Sequence, residues 1–183
     1  MLVLTGERGA GKSTLLGDAA AGFSLSGVLS LRGEDGSILL HEIGSTHAAL
    51  PLAERGKKTV SDDDGPLLGP FLFSRHALSE GRRILTALAG EAAAGTVQSP
   101  VVIDEIGPLE LIRGEGFADA LPYLYASGRA LIAVVRPTLI LTFLESLPAQ
   151  RREEATIVRV RYPGDPVARE TVHRFIITSH TYR

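Results

Sequence analysis

Gly6-Glu7-Arg8-Gly9-Ala10-Gly11-Lys12-Ser13-Thr14 satisfies G-x-x-x-x-G-K-[ST], the Walker A pattern of phosphate-binding loops. Each residue type answers a physical need. Small residues at Gly9, Ala10 and Gly11 let backbone N–H groups curl around an anion with no side chain in the way. A helix opening at Lys12 turns the positive end of its dipole toward that anion. The pattern assigns Lys12 to the β- and γ-phosphates of a nucleotide and the Ser13 hydroxyl to a Mg²⁺ shell. Gly6, Glu7, Arg8 and Thr14 complete the nucleotide-binding stretch. The bland alternative is a glycine-rich turn joining a strand to a helix. Two correctly placed glycines arise by chance about once in 200 placements, before lysine and serine are required.

The flanks suit the motif. Leu2–Thr5 is a short apolar run, as a buried strand is, and Leu15, Leu16, Ala19 and Ala20 follow at helical spacing. Farther out, apolar runs and helical patterns alternate, which predicts an α/β protein with a mainly parallel sheet. Gly27–Arg32 and Ser37–Ile43 flank Gly33-Glu34-Asp35-Gly36. They predict a β-hairpin added after the first helix, in an insertion covering about 27–54. Ala48–Ala53 reads as another edge strand within it. Lys57-Lys58 and Asp62-Asp63-Asp64-Gly65-Pro66 are loop chemistry, so about 56–69 is expected to be a mobile surface loop. Helices are expected over His76–Ala94, Phe117–Tyr125 and Pro137–Leu147. Core strands are expected at Val101–Asp104, Leu131–Val135 and Thr156–Val160. The tail 163–183 shows no clear period.

Composition bounds the rest. The 183 residues, 44% of them hydrophobic, suffice for one packed domain covering 1–183. A formal net charge of -2 supplies no global basic field, so neither a nucleic-acid site nor a membrane surface is expected as partner. Without cysteine there are no disulfides or thiolate metal sites, which suits a reducing compartment. Met1 leads straight into the first strand, with no signal-peptide pattern. The apolar stretch Ala130–Leu147 is interrupted by Arg136-Pro137 and is too short to span a bilayer. The expectation is a cytoplasmic protein, and no protein partner is legible.

A second acidic motif completes the chemistry. Val101-Val102-Ile103-Asp104-Glu105 is an apolar strand ending in adjacent carboxylates, the Walker B form. Asp104 is placed to hold Mg²⁺ through its water shell. Glu105 points elsewhere and is placed to polarise a water in line with the γ-phosphate. A solvated acidic turn is the alternative where such a pair stands alone.

Val102-Ile103-Asp104-Glu105-Ile106-Gly107-Pro108-Leu109-Glu110-Leu111 resembles the D-E-I-G-P-[ML]-E signature of the thermophilic-type nucleoside-triphosphatase family. The Walker A start, the hairpin after the first helix and the length are similar too. The resemblance covers about residues 1–150. It implies a RecA-like P-loop NTPase fold, a three-layer α/β/α sandwich, and slow Mg²⁺-dependent hydrolysis of ATP, GTP and other nucleoside triphosphates. The family's two nucleotide motifs fall on Gly6–Ser13 and on the strand through Asp104-Glu105 to Pro108. The chain departs where the family often has T-x-E-N-R-D, carrying Arg159-Val160-Arg161-Tyr162-Pro163-Gly164-Asp165 instead. It also has Val135-Arg136-Pro137 where the family has Val-His, so it reads as a divergent member with an open base preference.

Other residues carry two readings each. Arg136 follows an apolar strand directly and is either an arginine acting in cis on the γ-phosphate or a helix-start residue paired with an acid. Glu110 either holds the loop after Glu105 or is an exposed carboxylate. Arg75 is nearer to a solvated helix start than to a phosphate ligand. Arg82-Arg83 and Arg151-Arg152 are expected on exposed helix faces. Phe71 and Phe73, or Tyr123 and Tyr125, stack a base or fill the core. The five histidines lack metal-ligand spacing. A P-loop kinase and a nucleotide-switched accessory protein are the competing functions. Topology separates them: water activation by Glu105 predicts Ile132–Val135 between the strands Leu2–Thr5 and Val102–Asp104, whereas a kinase-type fold puts those two side by side.

Overall fold

In the computed structural model, which describes residues 1–56, 63–91 and 99–181, Leu2–Thr5 forms β1 and runs through the glycine loop into α1, Lys12–Gly22. Four strands follow that turn back on one another: β2 (Ser26–Arg32), β3 (Ile38–Glu42), β4 (Leu50–Arg55) and β5 (Asp64–Leu68). Next come β6 (Phe71–Ser74), α2 (Arg75–Glu91) and β7 (Val101–Ile106). The chain continues through α3 (Pro108–Leu111), a 3₁₀ turn at Ala118–Ala120, α4 (Leu121–Ala126) and β8 (Leu131–Val135). A 3₁₀ turn at Pro137–Leu139 leads into α5 (Ile140–Ser146), then α6 (Ala149–Glu153), β9 (Thr156–Arg159) and α7 (Pro166–Thr181).

The strands form one sheet in the order β5-β6-β4-β3-β2-β7-β8-β1-β9. Period-2 alternation divides the core. Val3, Val101, Ile103, Leu131, Ala133 and Val135 pack on one face with α2, α4 and α5. Leu2, Leu4, Val102, Ile132 and Val134 pack on the other with α1 and α7. All five residues of β8 are buried, as a central parallel strand requires, and each large side chain so buried contributes about 1.5–3 kcal/mol. Three layers are therefore present over the parallel half of the sheet.

β8 lies between β1 and β7, with Leu2 opposite Ile132 and Val102 opposite Ile132 on its other side. That is the order expected for the water-activating class. Several other expectations need correction. The sheet is mixed, not mainly parallel: β2, β7, β8, β1 and β9 pair in parallel, whereas β2–β3, β3–β4, β4–β6 and β6–β5 pair antiparallel. Short connections between successive strands permit only antiparallel neighbours, since a parallel crossover needs a dozen or more residues. Within 27–54, β2 and β3 pair antiparallel from Val28 opposite Glu42 to Arg32 opposite Ile38, and β2 also joins the parallel strands through β7, from Ser26 opposite Val101 to Val28 opposite Ile103. The strand read at Ala48–Ala53 is not at an edge, since β4 carries β6 beyond it, with Ala53 opposite Phe73.

Of the loop expected at about 56–69, residues 57–62 lie outside the described residues, but Asp64–Leu68 is strand β5. It folds back on β6 through Leu67 opposite Leu72 and Leu68 opposite Phe71, so the apolar pairs outweigh the loop-like Asp-Gly-Pro beside them. The tail without visible period is the helix α7. Residues 92–94 of the expected second helix also lie outside the described residues. Among the described residues, no helix is long and apolar enough to cross a membrane.

Candidate active site

The glycine loop closes under its own lysine. Gly9 and Gly11 take φ of 83° and 88°, left-handed values at which a side chain is strained. Gly11 caps α1 without a side chain, so nothing competes for the first-turn N–H groups that face the loop. Lys12, 9% exposed, donates from Nζ to the Gly6 carbonyl at 2.8 Å and the Glu7 carbonyl at 2.9 Å. Glu7, Arg8, Gly9 and Thr14 are exposed, while Gly6 and Ala10 are buried. The segment after β9 presses on this loop from outside. A Cβ on Gly11 would stand 2.9 Å from the Pro163 Cα, and one on Gly6 would collide with the Val160 carbonyl oxygen.

Asp104 sits in the C-terminal half of β7, 2% exposed. Ser13 from the first turn of α1 hydrogen-bonds its carboxylate, and the Ser30 N–H of β2 donates to Oδ2 at 3.3 Å. The Ser30 hydroxyl donates to the Asp104 backbone carbonyl. Burial pushes the Asp104 carboxyl up to about 7, with neighbouring Glu105 adding to the rise. The bonds from Ser13 and Ser30 and the Lys12 charge oppose it without cancelling it. Asp104 and Ser13 together are hard oxygen donors, which fits Mg²⁺. Among the described residues no three His, Asp or Glu converge as a metal cage, and a Mg²⁺ held by one carboxylate, a hydroxyl, phosphates and water needs none.

The Asp104–Glu105 peptide is cis. The Glu105 side chain is 29% exposed and accepts from the Nε of Arg136, whose own side chain is 55% exposed. Arg136 leaves β8 with φ -64° and ψ 144°, the extended conformation imposed by Pro137 behind it. Of its two expected settings, the pairing with an acid is the one present, and that acid is the candidate base.

Glu110 resolves in favour of the loop. It is buried, and its carboxylate accepts from the Gly107 N–H at 2.9 Å and the Phe117 N–H at 3.2 Å. It fastens both ends of the chain segment after Glu105, and its own burial raises its pKa. Arg75 reaches the Asp64 carbonyl at 2.8 Å and lies on the β5 side of the molecule. Arg83 pairs with Glu80 on an exposed face. Arg151 is a correction: it is buried, because its Nε donates to the Tyr125 carbonyl at 2.9 Å and ties α6 to α4. Tyr125 belongs to the core beside Phe143, whereas Tyr123 is exposed. Phe73 packs on the core, and Phe71 lies under the Arg8 guanidinium at 5.7 Å.

Ser30, Arg113 and Asp165 were missed by sequence reasoning. Ser30 and Asp104 are 74 residues apart, and no local pattern joins them. Arg113 donates to the Leu67 carbonyl at 2.6 Å, 46 residues away. Asp165 did leave a signal. Asp165-Pro166 is an N-cap followed by proline at the first helical position, and Ala168, Val172 and Ile176 follow at spacings of four. A cavity of about 550 Å³ lies behind α1, between Gly17 and Ala20 and the β2–β3 residues Leu31, His41 and Ile43. The charged groups described above are not part of its lining.

No protein-family model matches the sequence, and no curated protein does. Two solved structures are similar over nearly the whole chain. The crystal structure of THEP1 from the hyperthermophile Aquifex aeolicus superposes with a TM-score of 0.73 at 19% identity, covering 96% of this chain and 99% of that one. The solution structure of a human cancer-related nucleoside triphosphatase superposes with a TM-score of 0.66 at 16% identity, covering 100% and 98%. Identities this low speak for the fold. End to end, the chain has the α/β fold of these two proteins, so the family resemblance read at Asp104 to Glu110 is matched at the level of fold.

Proposed function

We propose that this protein is a Mg²⁺-dependent nucleoside triphosphatase that hydrolyses ATP, GTP and related nucleotides to diphosphate and phosphate in the cytoplasm. The observation that carries the reading is the meeting of Lys12, Ser13 and buried Asp104 at one strand-end crevice, with the more open Glu105 beside them. The two similar structures are of a protein called THEP1 and of one called a nucleoside triphosphatase, which agrees. The loop amides from Gly6 to Thr14 cradle the phosphates, and Lys12 exchanges its two carbonyl partners for β- and γ-phosphate oxygens. Ser13 and Asp104 would hold Mg²⁺, which when bound would offset negative charge on the phosphate oxygens. Glu105 accepts a proton as the water oxygen bonds to the γ-phosphorus and the bond to the β-phosphate oxygen breaks. Arg136 acts through Glu105 as a positioning residue, holding the carboxylate toward the crevice.

Phosphate release from ATP, GTP, CTP and UTP with Mg²⁺ and no added acceptor tests this. The parent is expected to release phosphate, Lys12→Ala to lose triphosphate binding, and Glu105→Gln to bind yet turn over about 10²-fold or more slowly. Release that needs an added acceptor identifies a kinase instead. Glu105→Gln at the parent rate removes Glu105 from its role.

A further inference from the structure

The β5–β6 hairpin reaches the nucleotide crevice from the far side of the sheet. In strand order β6 is six places from β1, which in a flat sheet is about 29 Å at roughly 4.8 Å per strand. Yet the ring of Phe71, first residue of β6, lies 5.7 Å from the guanidinium carbon of Arg8, in the loop after β1. The accumulated twist of the sheet, together with the reach of Arg8, brings the two together. The hairpin tip is tied down independently of Arg8. Arg113, just past α3, donates to the Leu67 carbonyl, and the Gly56 N–H donates to the Pro70 carbonyl at 3.0 Å. The tip therefore touches the segment after Glu105 on one side and the glycine loop on the other.

Arg8 stands apart among the arginines around the crevice. Arg136 is held by Glu105, Arg159 by Glu7 at 3.6 Å, Arg161 by Asp165 at 3.7 Å, Arg113 by Glu115 at 3.0 Å and the Leu67 carbonyl, and Arg75 by the Asp64 carbonyl. Among the described residues, the recorded partner of the Arg8 guanidinium is the face of Phe71. Stacking on a ring uses the cation's face and leaves its N–H donors for an anion. The position is suited to that. Lys12 Nζ binds the Gly6 and Glu7 carbonyls, and Arg8 is the next residue, so its long side chain begins beside the place where Lys12 meets the phosphates.

We propose that Arg8 is the arginine that stabilises charge on the γ-phosphate oxygens during hydrolysis, and that Phe71 on the β5–β6 tip is the residue that positions it. The proposal rests on the triphosphatase reading and adds to it a residue for transition-state charge and a role for the antiparallel half of the sheet. The planar fork of arginine matches two phosphate oxygens at once, which lysine does not.

The test compares steady-state kcat, KM and nucleotide affinity for the parent, Arg8→Ala, Arg8→Lys, Phe71→Leu and the Arg8→Ala/Phe71→Leu double variant with Mg²⁺-ATP. Arg8 is exposed, so its removal leaves the fold intact, which circular dichroism verifies. Arg8→Ala is expected to lower kcat by about 10²-fold or more, with affinity within about 3-fold of the parent. Millimolar guanidinium should restore part of that loss in Arg8→Ala and accelerate no other protein. Arg8→Lys should recover little. Phe71→Leu should cost about 2- to 5-fold in kcat, and nothing further once Arg8 is alanine. A parent-like kcat for Arg8→Ala, or a loss untouched by guanidinium, overturns the proposal while leaving the triphosphatase reading in place. A Phe71→Leu loss that persists in full in the double variant overturns the role of Phe71. A parent that releases no phosphate from any nucleotide overturns both readings.

Discussion

Asp104 is held in a setting that resists its own charge. Its carboxyl is pushed up to about 7 by burial first and by Glu105 second, well above the ordinary aspartate range. Protonated Asp104 is the form that the folded protein accepts without penalty. The stability it contributes is fully present below the unfolded-state pKa of 3.8 and is lost as pH rises through about 7. In the absence of Mg²⁺ and nucleotide, urea unfolding between pH 4 and 8 should show stability falling by as much as about 4 kcal/mol. Asp104→Asn should remove most of that slope and raise stability at pH 8, while abolishing Mg²⁺-dependent turnover. Glu110, raised in the same direction by burial, adds to the slope. An unchanged slope in Asp104→Asn would mean that Asp104 is not the buried charge responsible.

At the scale of elements, the long-range fastenings are what the sequence conceals. Arg129, fully buried before β8, donates to the Leu88 carbonyl of α2 at 2.7 Å, the Ser99 carbonyl at 2.7 Å and the Ser26 hydroxyl of β2 at 3.2 Å. Arg129→Ala strands these half-buried acceptors and leaves a cavity where the buried side chain stood, and should lower the unfolding free energy by about 2 kcal/mol, read by denaturant titration. A loss below about 0.5 kcal/mol would show the three bonds to be dispensable. β1, β7 and β8 were legible because each is a short apolar run buried on both faces, and α1 because the phosphate loop dictates it. Sheet order around β8 followed from Glu105. The antiparallel half was not legible as part of the main sheet, because β5 reads locally as Asp-Gly-Pro loop chemistry and is held by its pairing with β6, which in turn pairs with β4. α7 went unread although Asp165 caps it, accepting from the Val167 and Ala168 N–H groups at 3.1 and 3.3 Å. Its apolar positions are interleaved with charged ones, so the signal was the cap and not the period. Of the site, Lys12, Ser13, Asp104 and Glu105 declare themselves by motif. Ser30 and the contact of Arg8 with Phe71 depend on how the sheet coils, which spacing along the chain does not encode.

At the scale of the whole molecule, the parallel half carries Lys12, Ser13, Asp104 and Glu105, and the β5–β6 tip of the antiparallel half touches Arg8 and Arg113 beside them. Placing β8 between β1 and β7 sets the phosphate loop and the acidic strand two strand spacings apart, about 9.6 Å. The Arg136–Glu105 pair stands at the end of that intervening strand. In the proposed reading, Glu105 stands beyond the residues that would hold Mg²⁺ and serves a water from there. Water as the acceptor is therefore the central claim. Hydrolysis of Mg²⁺-ATP in ¹⁸O-enriched water, with the released phosphate read by mass spectrometry, tests it most directly. Phosphate is expected without any added acceptor, carrying one oxygen from solvent, with Glu105→Gln suppressing the labelled product. Phosphate that appears only when an acceptor is supplied, or that carries no solvent oxygen, would contradict it.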